Sequence, residues 1–233
     1  MTAAAISFAF QSITDIETRT VFAYEALVRG AHGEPAAQVF ANVPSAGLAQ
    51  FDHEARITAV NLAGRLGLST RISLNLLPGS LRALPTSLDT LLEAAARAGV
   101  ASEQLLIEVT ESEIIERPGE FFESLNRYRA HGVRLAIDDF GAGYSGLNLL
   151  ADFQPDLIKL DMNLVRDIHR AGPRQAIAKG VLQVCDDLGI EVIAEGVETL
   201  AEYAWLKRVG IRLFQGYLFG RPKFESLDPP DLP

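Results

Sequence analysis

Cysteine is almost absent: Cys185 stands alone in 233 residues. No disulfide can form within the chain, which fits a reducing compartment and makes the cytoplasm the expected location. Basic charge is also short, with 21 Lys and Arg against 30 Asp and Glu and a formal net charge of −9. A general surface for a nucleic-acid polymer or an anionic membrane needs a basic patch, so neither is an expected partner. A small anionic ligand stays open, provided that bound cations or a few local basic groups neutralise it. No run of about 18 apolar residues occurs, so no membrane span is expected. Residues 1–10 carry no basic start and no long apolar stretch, so no secretory signal is expected either. His32, His53, His131 and His169 are scattered and match no metal-ligand spacing.

What the chain has is apolar material in a regular order. Hydrophobic residues make up 48% and charged residues 22%, enough for a core and too apolar for disorder. Short runs rich in β-branched residues read as strands at 6–13, 21–28, 71–76, 105–110, 134–138, 157–161, 191–195 and 212–218. Amphipathic stretches between them read as helices at 52–66, 88–98, 120–130, 174–188 and 199–209. Gly99, Gly132, Gly189 and Gly210 close four of these helices. The segment 14–20 is too short for a crossover helix, so the first two strands form an antiparallel hairpin. About eight strands in such a repeat predict an α/β fold, a TIM-like barrel with one antiparallel strand; an open doubly wound sheet is the competitor. No linker divides the chain. Residues 1–227 are expected to form one domain, followed by a Pro-rich tail at 228–233.

Polar residues sit at the C-terminal edges of these strands: Glu25, Asn75, Glu108, Asp138 with Asp139, Lys159, Glu195 and Gln215. Barrel active sites are built at that rim. Alternation puts Glu25, Leu27 and Arg29 on one face, and Leu157, Lys159 and Asp161 on another. Two carboxylates 4 Å apart repel by about 4 kcal/mol at an effective dielectric near 20. Something positive must offset such a cluster, and oxygen-rich donor sets suit Mg²⁺ or Mn²⁺, singly or as a pair. Lys159 is either an ammonium donor to phosphate or a Schiff-base nucleophile; surrounding acids favour the charged donor. The Gly141-Ala142-Gly143-Tyr144-Ser145-Gly146 segment matches a dinucleotide fingerprint. Asp138 and Asp139 would face the pyrophosphate, so a glycine-rich loop over a metal site fits better. Cys185 and Trp205 read as core residues.

Seven ordered motifs carry a family resemblance. They are Glu25-Ala26-Leu27-Val28-Arg29, Leu74-Asn75-Leu76, Ile107-Glu108-Val109-Thr110-Glu111, Asp138-Asp139-Phe140-Gly141, Lys159-Leu160-Asp161, Ala194-Glu195-Gly196-Val197-Glu198-Thr199 and Gln215-Gly216-Tyr217. Together they resemble the EAL-domain family of cyclic di-GMP phosphodiesterases. The resemblance implies hydrolysis of cyclic di-GMP to linear pGpG with two Mg²⁺ or Mn²⁺ ions, and inhibition by Ca²⁺. It implies Glu25, Asn75, Glu108 and Asp138 as ligands of one ion, and Asp138, Asp139 and Glu195 as ligands of the other. Lys159, steadied by Asp161, resembles the residue that orients the attacking water, with Asp139 and Glu195 also catalytic. Arg29 resembles the phosphate contact, with Leu27, Glu198 and Gln215 among the substrate-binding residues. Glu111 resembles a tether for the glycine-rich loop. A homodimer and an upstream sensory domain or partner are further expectations. Gly30 stands where many relatives have Trp, Gly146 where they have Ser, and Leu77 replaces Ser in Leu-Ser-Pro. None of these is an expected metal ligand. A non-catalytic receptor or partner-binding module of the same fold is the alternative function, and a Schiff-base aldolase acting through Lys159 is a more remote one.

Overall fold

The computed structural model describes residues 6–77, 79–84, 86–110, 118–142 and 146–233. The chain begins with β1 (Ile6–Asp15) and β2 (Thr20–Gly30), paired antiparallel from Ile6 opposite Gly30 to Asp15 opposite Thr20. Asp15 builds the turn by accepting the backbone N–H groups of Glu17 and Thr18 at 2.9 and 3.2 Å. A bulge falls where Ile13 faces Ala23 but Thr14 faces Val21, which leaves Phe22 without a partner on β1.

Helices and strands then alternate. After α1 (Ala36–Phe40) and α2 (Leu48–Arg65) comes β3 (Arg71–Asn75), and after α3 (Ser80–Ala83) and α4 (Ser87–Arg97) comes β4 (Leu105–Thr110). Next are α5 (Pro118–Ala130), β5 (Arg134–Phe140), α6 (Gly146–Asp152), β6 (Leu157–Leu160), α7 (Met162–Val165) and α8 (Gly172–Leu188). The chain finishes with β7 (Glu191–Ala194), α9 (Leu200–Arg208), β8 (Leu213–Phe214) and β9 (Lys223–Phe224). Strands β2 to β8 are parallel neighbours in sequence order, and β1 pairs antiparallel with both β2 and β8. The ring closes as an eight-stranded barrel with β1 as its antiparallel member, as expected, while β9 adds to β1 from outside. Gly189 ends α8 at φ 71°, a left-handed cap that costs glycine no Cβ clash.

Alternation decides what fills the barrel. Ile13, Ala23, Leu106, Ala136, Leu157, Ile193 and Leu213 form a buried cluster with Phe22. Each of the first seven lies two positions from a polar residue: Gln11, Glu25, Glu108, Asp138, Lys159, Glu195 and Gln215 respectively. A period of two therefore stacks the polar ring directly on an apolar floor. At the opposite mouth, Arg134 and Arg212 reach Glu191 at 2.6 and 2.5 Å, and the Arg71 guanidinium lies 4.7 Å from the centre of the Phe22 ring. The larger core lies between the strands and the helices. Among the described residues, no helix is long and apolar enough to cross a membrane. Near the C-terminus, Tyr24 donates its hydroxyl to the carbonyls of Leu227 and Asp228, and Asp231 donates its N–H to Phe219.

Cys185 is fully buried on α8, and burial pushes its thiol up to about 12. The folded pKa exceeds the ordinary 9.0, so the neutral thiol's contribution to stability is complete below pH 9 and is lost as pH rises towards 12. Iodoacetamide at pH 8 is expected to alkylate the native protein at least about tenfold more slowly than the protein in urea. Equal rates would show that the thiol is reached in the folded state.

Candidate functional site

The polar ring converges on one ammonium. Lys159 is 1% exposed, and its Nζ lies 2.6 Å from Glu195 Oε1 and 2.9 Å from Glu108 Oε2. Asp138 Oδ1 stands at 3.2 Å and Glu25 Oε2 at 3.5 Å. Strands β2, β4 and β5 and the residue that follows β7 supply these carboxylates. Asn75 donates Nδ2 to Glu25 Oε1 at 3.1 Å, and Gln215 donates Nε2 to Glu25 Oε2 at 2.6 Å. Ser73, two residues before Asn75, donates to Glu108 Oε1 at 2.5 Å.

Asp139 joins this ring against the pleat. Consecutive strand residues point to opposite faces, so Asp138 and Asp139 should diverge. The β5–β6 register shifts between Ile137 and Phe140, and Asp139 adopts φ 54°, with its N–H donated to Asp138 Oδ1 at 3.0 Å. The left-handed conformation is one that aspartate tolerates better than most side chains. As a result, carboxylate oxygens of Asp138, Asp139 and Glu195 lie within 4.8 Å of one another.

Electrostatics follow from burial and crowding. Burial pushes Glu108 up to about 8, opposed by Lys159 and helped by Glu25 and Asp138. Burial likewise raises Glu195 well above the usual carboxylate range, and burial with the Asp138 charge raises Asp139. Burial alone would lower Lys159, but Glu108, Glu195, Glu25 and Asp138 outweigh it and hold the ammonium well above its ordinary value. Four carboxylates face one cation and Asp139 adds a fifth beside two of them, a donor set of hard oxygens with an excess of negative charge that suits divalent ions. Gln215 Oε1 is buried and has no hydrogen-bond partner among the described residues.

Other expected residues lie around this centre. Arg29 donates Nη1 to the Val28 carbonyl at 2.8 Å. With Leu27 and Asn75 it lines a cavity of about 260 Å³ walled by Phe40 and Phe51. Asp161 caps α7, accepting the Asn163 N–H and Nδ2 at 3.0 Å each. Glu198 is held by Arg166 at 2.6 and 3.0 Å, which keeps its carboxyl below the usual range. Glu111 and positions 143–145 of the glycine-rich loop lie outside the described residues.

Sequence reasoning passed over three groups. Ser73 shares its strand face with Asn75 and could have been found by alternation. Gln11 faces Glu25 only through the hairpin register. Asp52 and Arg56 form a buried ion pair on α2, with Asp52 accepting the Leu77 N–H at 3.2 Å and Arg56 Nη1 3.4 Å from the Asn75 carbonyl. Their spacing of four on one helix face was the available signal.

Similarity to known proteins agrees with this geometry. The chain is 38% identical over 221 residues to the blue light- and temperature-regulated antirepressor BluF of Escherichia coli, across 94% of this chain and 55% of BluF. It is 35% identical over 164 residues to the cyclic di-GMP phosphodiesterase RocR of Pseudomonas aeruginosa, across 70% of this chain and 41% of RocR. The manganese/cy-diGMP complex of Klebsiella pneumoniae BlrP1 at pH 9.0 superposes with a TM-score of 0.92 at 47% identity, covering 97% of this chain and 58% of BlrP1. The chain thus spans about half the length of these proteins. The family model of the EAL domain matches residues 1–222, and with that match over nearly its full length the chain belongs to the EAL domain family.

Proposed function

We propose that the chain is a divalent-cation-dependent phosphodiesterase that hydrolyses cyclic di-GMP to linear pGpG. The observation that carries this reading is the ring of four carboxylates around one buried ammonium at the barrel rim, with Asp139 beside Asp138 and Glu195. Gln215 Oε1, without a partner among the described residues, and the surplus of negative charge both fit bound cations. Glu25, Asn75, Glu108 and Asp138 would hold one ion, and Asp138, Asp139 and Glu195 the other. When bound, Mg²⁺ or Mn²⁺ supplies Lewis-acid chemistry, acidifying water and polarising the scissile phosphate.

The chain's own residues do the rest. Lys159 stays an ammonium at neutral pH, so it can orient a water by hydrogen bonding but cannot act as an amine nucleophile, which disfavours the aldolase. Arg29, at the wall of the neighbouring cavity with Leu27, supplies a guanidinium for a phosphate. Glu198 and Gln215 complete the proposed substrate contacts. Asp161 positions the chain after β6 by capping α7, and Glu111 is the proposed tether of the glycine-rich loop. Residues 1–227 act as one domain with a short tail, as a homodimer in the cytoplasm, under an upstream sensory domain or partner.

The kinship to BluF, an antirepressor by name, favours a second reading: a module that binds without turnover. Incubation with cyclic di-GMP and Mg²⁺ or Mn²⁺, followed by separation of products, decides between them. Linear pGpG is expected with either ion and none in the chelated control. Ca²⁺, which prefers ligands at about 2.3–2.6 Å against about 2.0–2.1 Å for Mg²⁺, is expected to support binding but little turnover. Nucleotide binding with no product under any ion would establish the second reading.

A further inference from the structure

Strand β1 contributes a side chain to the ring that the family motifs do not mark. Gln11 is 8% exposed, and both ends of its amide are engaged. Its Nε2 donates to the Gly220 carbonyl at 2.9 Å, and its Oε1 accepts from Gln215 Nε2 at 3.2 Å. That same nitrogen of Gln215 donates to Glu25 Oε2 at 2.6 Å. An amide nitrogen carries two hydrogens, so Gln11 and Glu25 together use both. The orientation of the Gln215 amide is thereby settled, because turning it over would set its oxygen against a carboxylate oxygen.

We propose that Gln11 is a positioning residue that orients the Glu25 carboxylate for a divalent cation, acting through Gln215. The proposal rests on the reading of Glu25 as a metal ligand. Glu25 receives one donor on each oxygen, Asn75 on Oε1 and Gln215 on Oε2. Gln11 locks the second of these donors and ties it to the loop after β8 through Gly220. Without Gln11 the Gln215 Nε2 is held by Glu25 alone, so its direction towards Glu25 Oε2 is less closely fixed. Residues that hold a metal ligand in place commonly govern affinity by about 10–100-fold, whereas a residue that only fills space at a strand edge leaves affinity unchanged.

The test is a Mn²⁺ titration without nucleotide, followed by the electron paramagnetic resonance signal of the free ion. Gln11→Leu is expected to weaken Mn²⁺ binding about tenfold or more, with the thermal midpoint kept within a few degrees. Gln215→Leu is expected to do the same, and the double variant to be no weaker than Gln215→Leu alone, since both act along one path. Wild-type affinity in Gln11→Leu, or losses that add in the double variant, overturns the proposal. If Gln11→Leu does not fold, Gln11→Met, of nearly the same length and unbranched, is judged by the same criteria. A wild-type protein that binds Mn²⁺ but does not linearise cyclic di-GMP overturns the phosphodiesterase reading alone; one that binds no Mn²⁺ overturns both.

Discussion

Replacing Lys159 by Met is expected to lower turnover by about a hundredfold or more and to destabilise the metal-free protein by about 3–5 kcal/mol. The ammonium is the shared partner of Glu25, Glu108, Asp138 and Glu195. Its removal leaves four carboxylates packed together with no counter-charge from that position. The pH dependence has a definite sign. Glu108 titrates near 8 in the folded protein against an ordinary 4.5, so folding takes up a proton between those values. Stability from this carboxyl is fullest below pH 4.5 and is lost as pH rises through 8. Without the ammonium Glu108 and Glu195 are pushed higher still, so the deficit of Lys159→Met should widen from pH 5 to pH 8. Thermal unfolding in chelator at both pH values, beside a turnover assay, measures both effects. A wild-type midpoint at pH 8 would show that other cations already balance the ring.

Arg56→Met is expected to cost about 3–5 kcal/mol by a different route, or roughly 6–20 °C in melting temperature for a chain of this size. Asp52 and Arg56 are 5% and 3% exposed, and the arginine is the ion-pair partner of that aspartate. Truncating it strands a buried carboxylate. Replacing both, as Asp52→Leu with Arg56→Met, should recover most of the loss, because a buried pair yields little net stability over apolar packing. Metal affinity should not recover, since Asp52 no longer holds the Leu77 N–H beside Asn75. Urea unfolding and a metal titration on the three proteins separate the two outcomes. Full recovery of affinity in the double variant would confine the pair to a folding role.

The strand order was legible because the apolar runs obey a simple period. Leu105–Thr110 reads the same from sequence and from structure. The eighth strand does not: expected over 212–218, it spans only Leu213–Phe214. A Cβ on Gly216 would lie 2.1 Å from the Val197 oxygen, so the chain leaves the sheet there to pack on the preceding loop. The rim carboxylates were visible as polar ends of apolar strands, and the structure brings Glu25, Glu108, Asp138 and Glu195 together on Lys159. Asp139 is the instructive case. Its membership depends on a bulge and a left-handed φ, neither of which alternation can express. Asp161 and Glu198 carry motif identity, yet their nearest partners, Asn163 and Arg166, are set by loop geometry that spacing does not encode. A side chain at Gly30 would meet the Glu34 carboxylate, which would have to swing aside.

The antiparallel first strand has a kinetic consequence. Thr14 pairs with Phe214 and Ala9 with Phe224, contacts about two hundred residues apart along the chain. Contacts of such separation pay their loop entropy before they return any stability, and they slow folding accordingly. A ribosome making the chain from its N-terminus releases β1 early, yet β1 must wait with one edge unpaired until β8 emerges. The hydrogen bond from Gln215 to Glu25 spans 190 residues and forms only when that seam shuts. Closure of the polar ring is therefore tied to the least local event in folding, and a chain halted before β8 has seven strands but lacks the Gln215 donor to Glu25.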